Sequence, residues 1–381
     1  MTPIEASAYK RKMLQCSMMN ASPLSTHPMP RRSAASRLAA TLTRATQRNL
    51  QALTRATLRN GKKVAAQVQR AVAQQHKPPP GAGDWLSGTA VGPAGVRRYH
   101  LFRPAGLVLQ PGEKLPLLVM LHGCGQHGRD FAASTRMNRV ATRERCLVLY
   151  PEQDRLAQAQ GCWNWFELRS GKALAEAATL MVLLEQVILW HAADRQRVAV
   201  VGLSAGASMA ALLASRYPAR FQAVAMHSGV SPGLAHSPAT ALGAMRGQRG
   251  VARAAHAVGQ LRNAAGLGLD LPPLLVIHGE ADHVVAASNA RTSAAIWALA
   301  SGAAPGPERT LQRGQRYPMR VTDYRREGQV QVSLCQIEGL GHAWSGGGAK
   351  LAFSDAAGPD ATRLVWTFVA RQFQRPETAR R

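Results

Sequence analysis

The sequence predicts an α/β domain, a mostly parallel sheet with helices on both faces, preceded by a basic amphipathic N-terminal helical arm. Three observations carry that prediction. Short, continuous apolar runs recur through residues 95–376, most of them closed by Gly, His or Pro, as strands buried on both faces are. Between them lie segments with apolar side chains at three-and-four spacing, the mark of helices laid on a sheet. The formal charge of +26 is lopsided: residues 1–80 hold fourteen Lys and Arg against the single acid Glu5, half of the total excess.

From the N-terminus, residues 1–33 are expected to be disordered. Residues 34–76 predict one long helix with an internal repeat. Leu42-Thr43-Arg44-Ala45-Thr46-Gln47-Arg48-Asn49 recurs eleven residues on as Leu53-Thr54-Arg55-Ala56-Thr57-Leu58-Arg59-Asn60. Eleven residues are almost three α-helical turns, so the copies superpose. Arg37, Arg44, Arg48, Arg55, Arg59 and Lys62 share one narrow face, with Leu42, Leu50, Leu53, Val64 and Val68 roughly opposite. Such a helix suits docking on a polymer granule or an anionic surface; nucleic acid is the other acidic partner its charge would attract. Residues 77–94, opening on Lys77-Pro78-Pro79-Pro80-Gly81, are expected to be a linker.

Residues 95–376 form the expected catalytic domain. Leu117–Leu121, Cys146–Tyr150, Val198–Val201, Ala223–Met226, Leu274–Ile277 and Val332–Ile337 are its predicted strands. Helices are expected around Leu174–Ile188, from Ala207 to Tyr217 and from Asp360 to Phe373, and residues 231–268 could form a lid. Apolar residues make up 46% of the chain, ample for a core, but no apolar stretch approaches the ~20 residues of a membrane span. Met13-Leu14-Gln15-Cys16-Ser17 is too polar for the apolar core of a secretion signal. The five cysteines, oddly spaced and without a CxxC pair, form neither a disulfide framework nor a metal motif.

The chemistry begins at Gly202-Leu203-Ser204-Ala205-Gly206, a GxSxG between a buried strand and a helix. That context makes Ser204 the nucleophile on a sharp strand-to-helix turn. A serine hydroxyl needs a histidine to take its proton and a carboxylate to orient that histidine, in the chain order Ser, acid, His. After the strand ending at Ile277 two carboxylates compete, Asp282 and Glu280; Asp282 is preferred because it lies further past the strand end. His342 is the expected base, the one histidine beyond Asp282 apart from its neighbour His283. His122 and His278 read as structural. For the oxyanion, Ala205 offers one backbone N–H, and the loop after Leu121 offers the other through Cys124, with Gly125 as second choice. This chemistry implies no cofactor and no metal.

Four motifs in order, His-Gly-Cys-Gly-Gln at 122–126, Cys-Trp-Asn-Trp-Phe at 162–166, Gly-Leu-Ser-Ala-Gly at 202–206 and Gly-His-Ala-Trp-Ser-Gly-Gly at 341–347, resemble the polyhydroxybutyrate (PHB) depolymerase family of esterases. Gly358-Pro359-Asp360-Ala361 resembles that family's C-terminal segment. The resemblance implies an α/β-hydrolase fold and hydrolysis of hydroxyalkanoate-type esters, polyester or oligomer; the family also includes feruloyl- and acetyl-ester hydrolases acting on plant polysaccharide. It gives Ser204, Asp282 and His342 the triad roles and Cys124 the oxyanion role. It also implies an extracellular enzyme, whereas the lack of a signal fits a cytoplasmic granule surface. A bridge between Cys124 and Cys162 is expected from their places in two of the motifs. Trp163, Trp165 and Trp344 are expected to line an acyl groove, since aromatic rings offer flat apolar area. The chain departs from many relatives at Ala207, where they carry a second glycine after the elbow.

Overall fold

The computed structural model describes residues 79, 81–248, 259 and 270–375. The arm expected over 34–76, the expected disorder of 1–33 and most of the second half of the expected lid lie outside them. The first strand, β1 (Gly83–Gly92), pairs antiparallel with β2 (Gly95–Pro104) along its whole length, from Gly83 opposite Pro104 to Gly92 opposite Gly95. This corrects the expected linker over 77–94 where residues 83–92 are concerned: they form a sheet strand, joined to β2 by a turn at Pro93-Ala94. Glycines at 83, 88 and 92 break the alternation that marks a strand in sequence, yet Trp85 stacks on His100 across the pair with ring centroids 4.9 Å apart.

The remaining sheet strands are β3 (Leu115–Leu121), β4 (Leu147–Pro151), β5 (Ala193–Leu203), β6 (Ala223–His227), β7 (Leu274–Gly279), β8 (Ala304–Pro305), β9 (Arg309–Leu311), β10 (Met319–Arg326) and β11 (Gln329–Ile337). They form one eleven-stranded sheet in the order β1-β2-β4-β3-β5-β6-β7-β11-β10-β8, with β9 also on β10. From β4 through β3, β5, β6 and β7 to β11 every pairing is parallel; both edges are antiparallel. Strand β10 escapes sequence reading because Arg320, Arg325 and Arg326 interrupt its apolar alternation, though it is paired with β11 on one side and with β8 and β9 on the other.

Seven helices are described: α1 (Gly128–Thr135), α2 (Met137–Glu144), α3 (Lys172–Trp190), α4 (Ala205–Arg216), α5 (Pro238–Met245), α6 (Ser288–Ser301) and α7 (Ala361–Phe373). The period of two along β3 assigns most of them to a face. Leu117, Val119 and Leu121 pack in one core with Leu183 of α3, Met209 of α4 and Trp297 of α6; Leu118 and Met120 pack in the other with Phe131 of α1, Val140 of α2 and Val365 of α7. Each such fully buried Leu gains about 1.5–3 kcal/mol over an exposed one. Helix α3, at 19 residues, is long and apolar enough to cross a membrane by length and composition, contrary to the expectation that no stretch is. Here it is a core helix, with Leu180, Leu183, Leu184 and Val187 buried.

Candidate active site

The parallel strands deliver their following loops to one edge of the sheet, where ligand sites of open α/β sheets form. Strand β5 ends at Leu203, and α4 begins immediately at Ala205, two residues earlier than expected. Ser204 alone makes the turn, with φ 57° and ψ −122°, a strained conformation for a side-chain-bearing residue. Its N–H donates to His227 O (2.8 Å) at the end of β6. The flanking glycines permit the turn by close approach. A Cβ on Gly202 would lie 2.2 Å from the Gly206 carbonyl, and one on Gly206 would lie 2.1 Å from Leu121 O. Ala207 fits in place of a second glycine because Gly229 faces it: a Cβ there would meet the Ala207 methyl at 2.6 Å.

Gly206 therefore brings the end of β3, and the loop that follows, directly over the elbow. In that loop Gly123 N–H donates to Gln126 Oε1 (3.0 Å) and Gly125 N–H to Gln160 O (2.9 Å). Among the described residues the Cys124 N–H has no acceptor, nor does that of Ala205 in the first turn of α4. Gly125, the second choice, is thus already committed. The His122 ring is buried, and burial lowers its pKa to about 4. As the neutral base it accepts from Gln153 N–H at Nε2 (3.1 Å) and donates from Nδ1 to Gly123 O (2.8 Å). Fixing that carbonyl fixes the Gly123–Cys124 peptide plane, and so the direction of the Cys124 N–H. Cys124 and Cys162 are joined by a disulfide.

Asp282 and His342 meet in the loops after β7 and β11. Asp282 Oδ1 accepts from the N–H groups of Val284 (2.9 Å) and Val285 (2.8 Å), and Oδ2 accepts a hydrogen bond from His342 Nδ1–H at 2.7 Å. Burial acts to raise the Asp282 carboxyl, but hydrogen bonds from His278 and His342, the His342 charge and the Val285 N–H outweigh it. The group is held well below the usual carboxylate range. Glu280 is engaged elsewhere, paired with Arg320. His278, read as structural, is buried with Nε2 2.9 Å from Val285 O and 3.4 Å from Asp282 Oδ2, bracing the acid's loop. Among the described residues the Ser204 hydroxyl makes no hydrogen bond to His342, a contact that in unliganded sites often closes only around substrate.

The tryptophans correct an expectation. Trp163 and Trp344 are fully buried and cannot wall a groove. Trp163 Nε1–H donates to His122 O (3.0 Å), holding the loop of Cys124 from below. Trp344 Nε1–H donates to Thr362 Oγ1 (3.0 Å), and its ring stands edge-on to Phe131. Trp165 is 6% exposed and edge-on to Phe166. Aromatic residues two positions from a catalytic group look alike in sequence whether they face substrate or support the loop. Sequence reading also missed Glu176. Its carboxylate accepts from Gln153 Nε2 (2.6 Å), Asn164 N–H (2.9 Å) and Asn164 Nδ2 (2.8 Å), tying the 162–166 motif to the segment that holds His122.

The Esterase PHB depolymerase family model matches residues 97–303, more than half of the chain. The chain belongs to that family. Poly(3-hydroxyalkanoate) depolymerase C of Paucimonas lemoignei is 32% identical over 177 residues, 46% of this chain and 42% of that protein. Feruloyl esterase B of Thermothelomyces thermophilus is 26% identical over 215 residues, 55% of this chain and 72% of that protein. The chain spans less than half the length of the depolymerase and of feruloyl esterase B from Neurospora crassa, 29% identical over 139 residues. Among solved structures, an acetyl xylan esterase from Aspergillus awamori superposes with TM-score 0.57 at 20% identity, covering 68% of this chain and 94% of that one. The fold is that of the α/β-hydrolase esterases.

Proposed function

We propose that this PHB depolymerase family chain is a serine-dependent carboxylic ester hydrolase acting on hydroxyalkanoate-type esters. The observation that carries the reading is the Asp282–His342 hydrogen bond, on loops of the sheet edge where Ser204 sits at a strained turn. Asp282 holds the proton on His342 Nδ1, leaving Nε2 as the base. Ser204 Oγ attacks the ester carbonyl carbon and gives its proton to His342 Nε2. The N–H groups of Cys124 and Ala205 receive the developing oxyanion. Collapse of that tetrahedral species expels the alcohol, which leaves with the proton from His342. Water, deprotonated by the same nitrogen, then attacks the Ser204 ester, and the hydroxy acid departs.

The substrate class rests on the depolymerase relative, and a second reading on the others. The feruloyl and acetylxylan esterases among the relatives support hydrolysis of esters on plant polysaccharide. The Arg-faced repeat of residues 42–60, outside the described residues, supports docking on a polyester granule or anionic surface. A panel of p-nitrophenyl esters, hydroxybutyrate oligomers, amorphous polymer and feruloyl esters separates these. The first reading expects oligomers and polymer to be cleaved with higher kcat/KM than feruloyl esters; the reverse order establishes the second. Changing Leu42, Leu53 and Val64 to Ser should slow polymer cleavage while sparing soluble esters. Equal effects on both would dismiss docking by that segment.

The bridge supports maturation in an oxidising compartment. Because it anchors the residue offering an oxyanion N–H, its reduction is expected to lower kcat about tenfold, the scale of a partly misplaced donor. A loop closed across 38 residues also contributes up to about 4 kcal/mol of stability. Turnover assayed after phosphine reduction, below the unfolding temperature, checks this. Unchanged kcat in a protein shown by mass to be reduced counts against the coupling.

A further inference from the structure

We infer that His227 is a positioning residue that sets the nucleophile and the base at their working separation; this rests on the triad reading proposed above. Strand β6 carries no member of the triad, yet it lies between the strand of Ser204 and the strand of Asp282, with His227 opposite Leu203 on one side and Ile277 on the other. Its carbonyl accepts the Ser204 N–H at 2.8 Å. Its ring, in contrast, reaches to the base's loop: Nε2 accepts the N–H of Ser345 at 3.2 Å, three residues beyond His342. The ring also stacks on Trp344, centroids 5.1 Å apart and planes at 29°. One buried residue thus holds the backbone of the nucleophile with its main chain and the loop of the base with its side chain.

This arrangement works with the neutral ring in a single tautomer. An acceptor at Nε2 places the proton on Nδ1, which lies 3.1 Å from Ser228 Oγ. Ser228 itself sits at φ 54° and turns the chain away from the sheet, its N–H held by Ile277 O (2.9 Å). The ionisable groups facing the ring are His278 on β7, Asp282 on the following loop and His342 on the loop after β11. Burial first, then the two histidines, push His227 down to about 3, with Asp282 opposing. A protonated ring would set an N–H against the Ser345 N–H. It would also place a second cation beside His342 when that residue becomes imidazolium during turnover. Being fully bonded and buried, the ring has no route to substrate, so its effect is on geometry.

The test uses the full chain with His227→Phe, which keeps an aromatic ring on Trp344 but removes the acceptor, and His227→Gln, whose Oε1 can reach the Ser345 N–H. With a soluble p-nitrophenyl ester, His227→Phe is expected to lower kcat by roughly 10²-fold, the scale of a misplacement near 1 Å, with KM within about twofold. His227→Gln should recover most of the loss. Wild-type kcat in His227→Phe, or a change confined to KM, overturns the inference, as does failure of glutamine to rescue a variant with wild-type thermal stability. If the phenylalanine variant does not fold, ¹⁵N NMR of the wild-type imidazole decides. An Nδ1–H tautomer that does not titrate between pH 5 and 8 supports the role, and an Nε2–H tautomer or a titration in that range refutes it. Ser204→Ala separates the two levels. An active Ser204→Ala removes the triad reading itself, whereas an inactive Ser204→Ala beside a fully active His227→Phe removes only the role given to His227.

Discussion

Ser204→Ala is expected to reduce ester turnover by about 10⁶-fold, leaving the roughly 10³–10⁴-fold acceleration over water that oxyanion donors and binding supply without a nucleophile. Stability should barely move. The strained turn is imposed by β5, α4 and the Ser204 N–H to His227 O bond, all of which alanine retains. Among the described residues the hydroxyl has no hydrogen-bond partner within the chain, so its removal orphans no buried group. Mass analysis after an organophosphonate should place the single adduct on Ser204. Labelling at another residue, or an alanine variant that still turns over, rejects Ser204 as the nucleophile.

Asp282→Asn is expected to lower kcat about 10⁴-fold with KM nearly unchanged. With the asparagine oxygen kept by Val284 and Val285, its NH₂ faces His342 Nδ1. The imidazole must then carry its proton on Nε2, the wrong nitrogen to receive one from serine. Glu280→Gln, which loses only a pair with Arg320, should stay within about twofold of wild type. If the two variants exchange these effects, the acid is Glu280. The aspartate also ties stability to pH. Its ordinary value is 3.8 and the fold lowers it, so the stabilisation is complete above about pH 4 and fades as pH falls towards the depressed value. Denaturant midpoints of wild type and Asp282→Asn should accordingly converge in acid.

The positions of Ser204, Asp282, His342 and the 122–126 loop after strand ends were legible in the sequence because each follows an apolar run that a buried strand explains, in a loop rich in glycine; their chemical roles are the proposal made above. What stayed hidden depends on burial or on distant partners. Trp163 and Trp344 stand inside motifs, but sequence does not tell which side of a loop a ring faces. His227 ends a strand like any other; its meaning comes from Ser345, 118 residues away. Glu176 is one of two carboxylates on a long apolar helix until Gln153 and Asn164 close around it. The β1 strand was obscured by its glycines, and β10 by arginines that break its alternation.

The parallel middle of the sheet also governs when the site can come into being. A parallel pair needs a crossover, and here Leu121 of β3 lies beside Gly202 of β5, while Gly279 of β7 lies beside Ile337 of β11. Asp282 and His342 stand 60 residues apart in the chain, the bridged cysteines 38. None of these contacts belongs to a local turn or hairpin that forms in microseconds; each waits for the loop-closure entropy of a distant pairing to be overcome. During refolding, helices such as α3 and the β1–β2 hairpin can form early in a chain whose candidate site is not yet assembled. The arrangement of Ser204, Asp282 and His342 arrives with the slow, non-local docking of β5, β6, β7 and β11, as a property of the finished sheet.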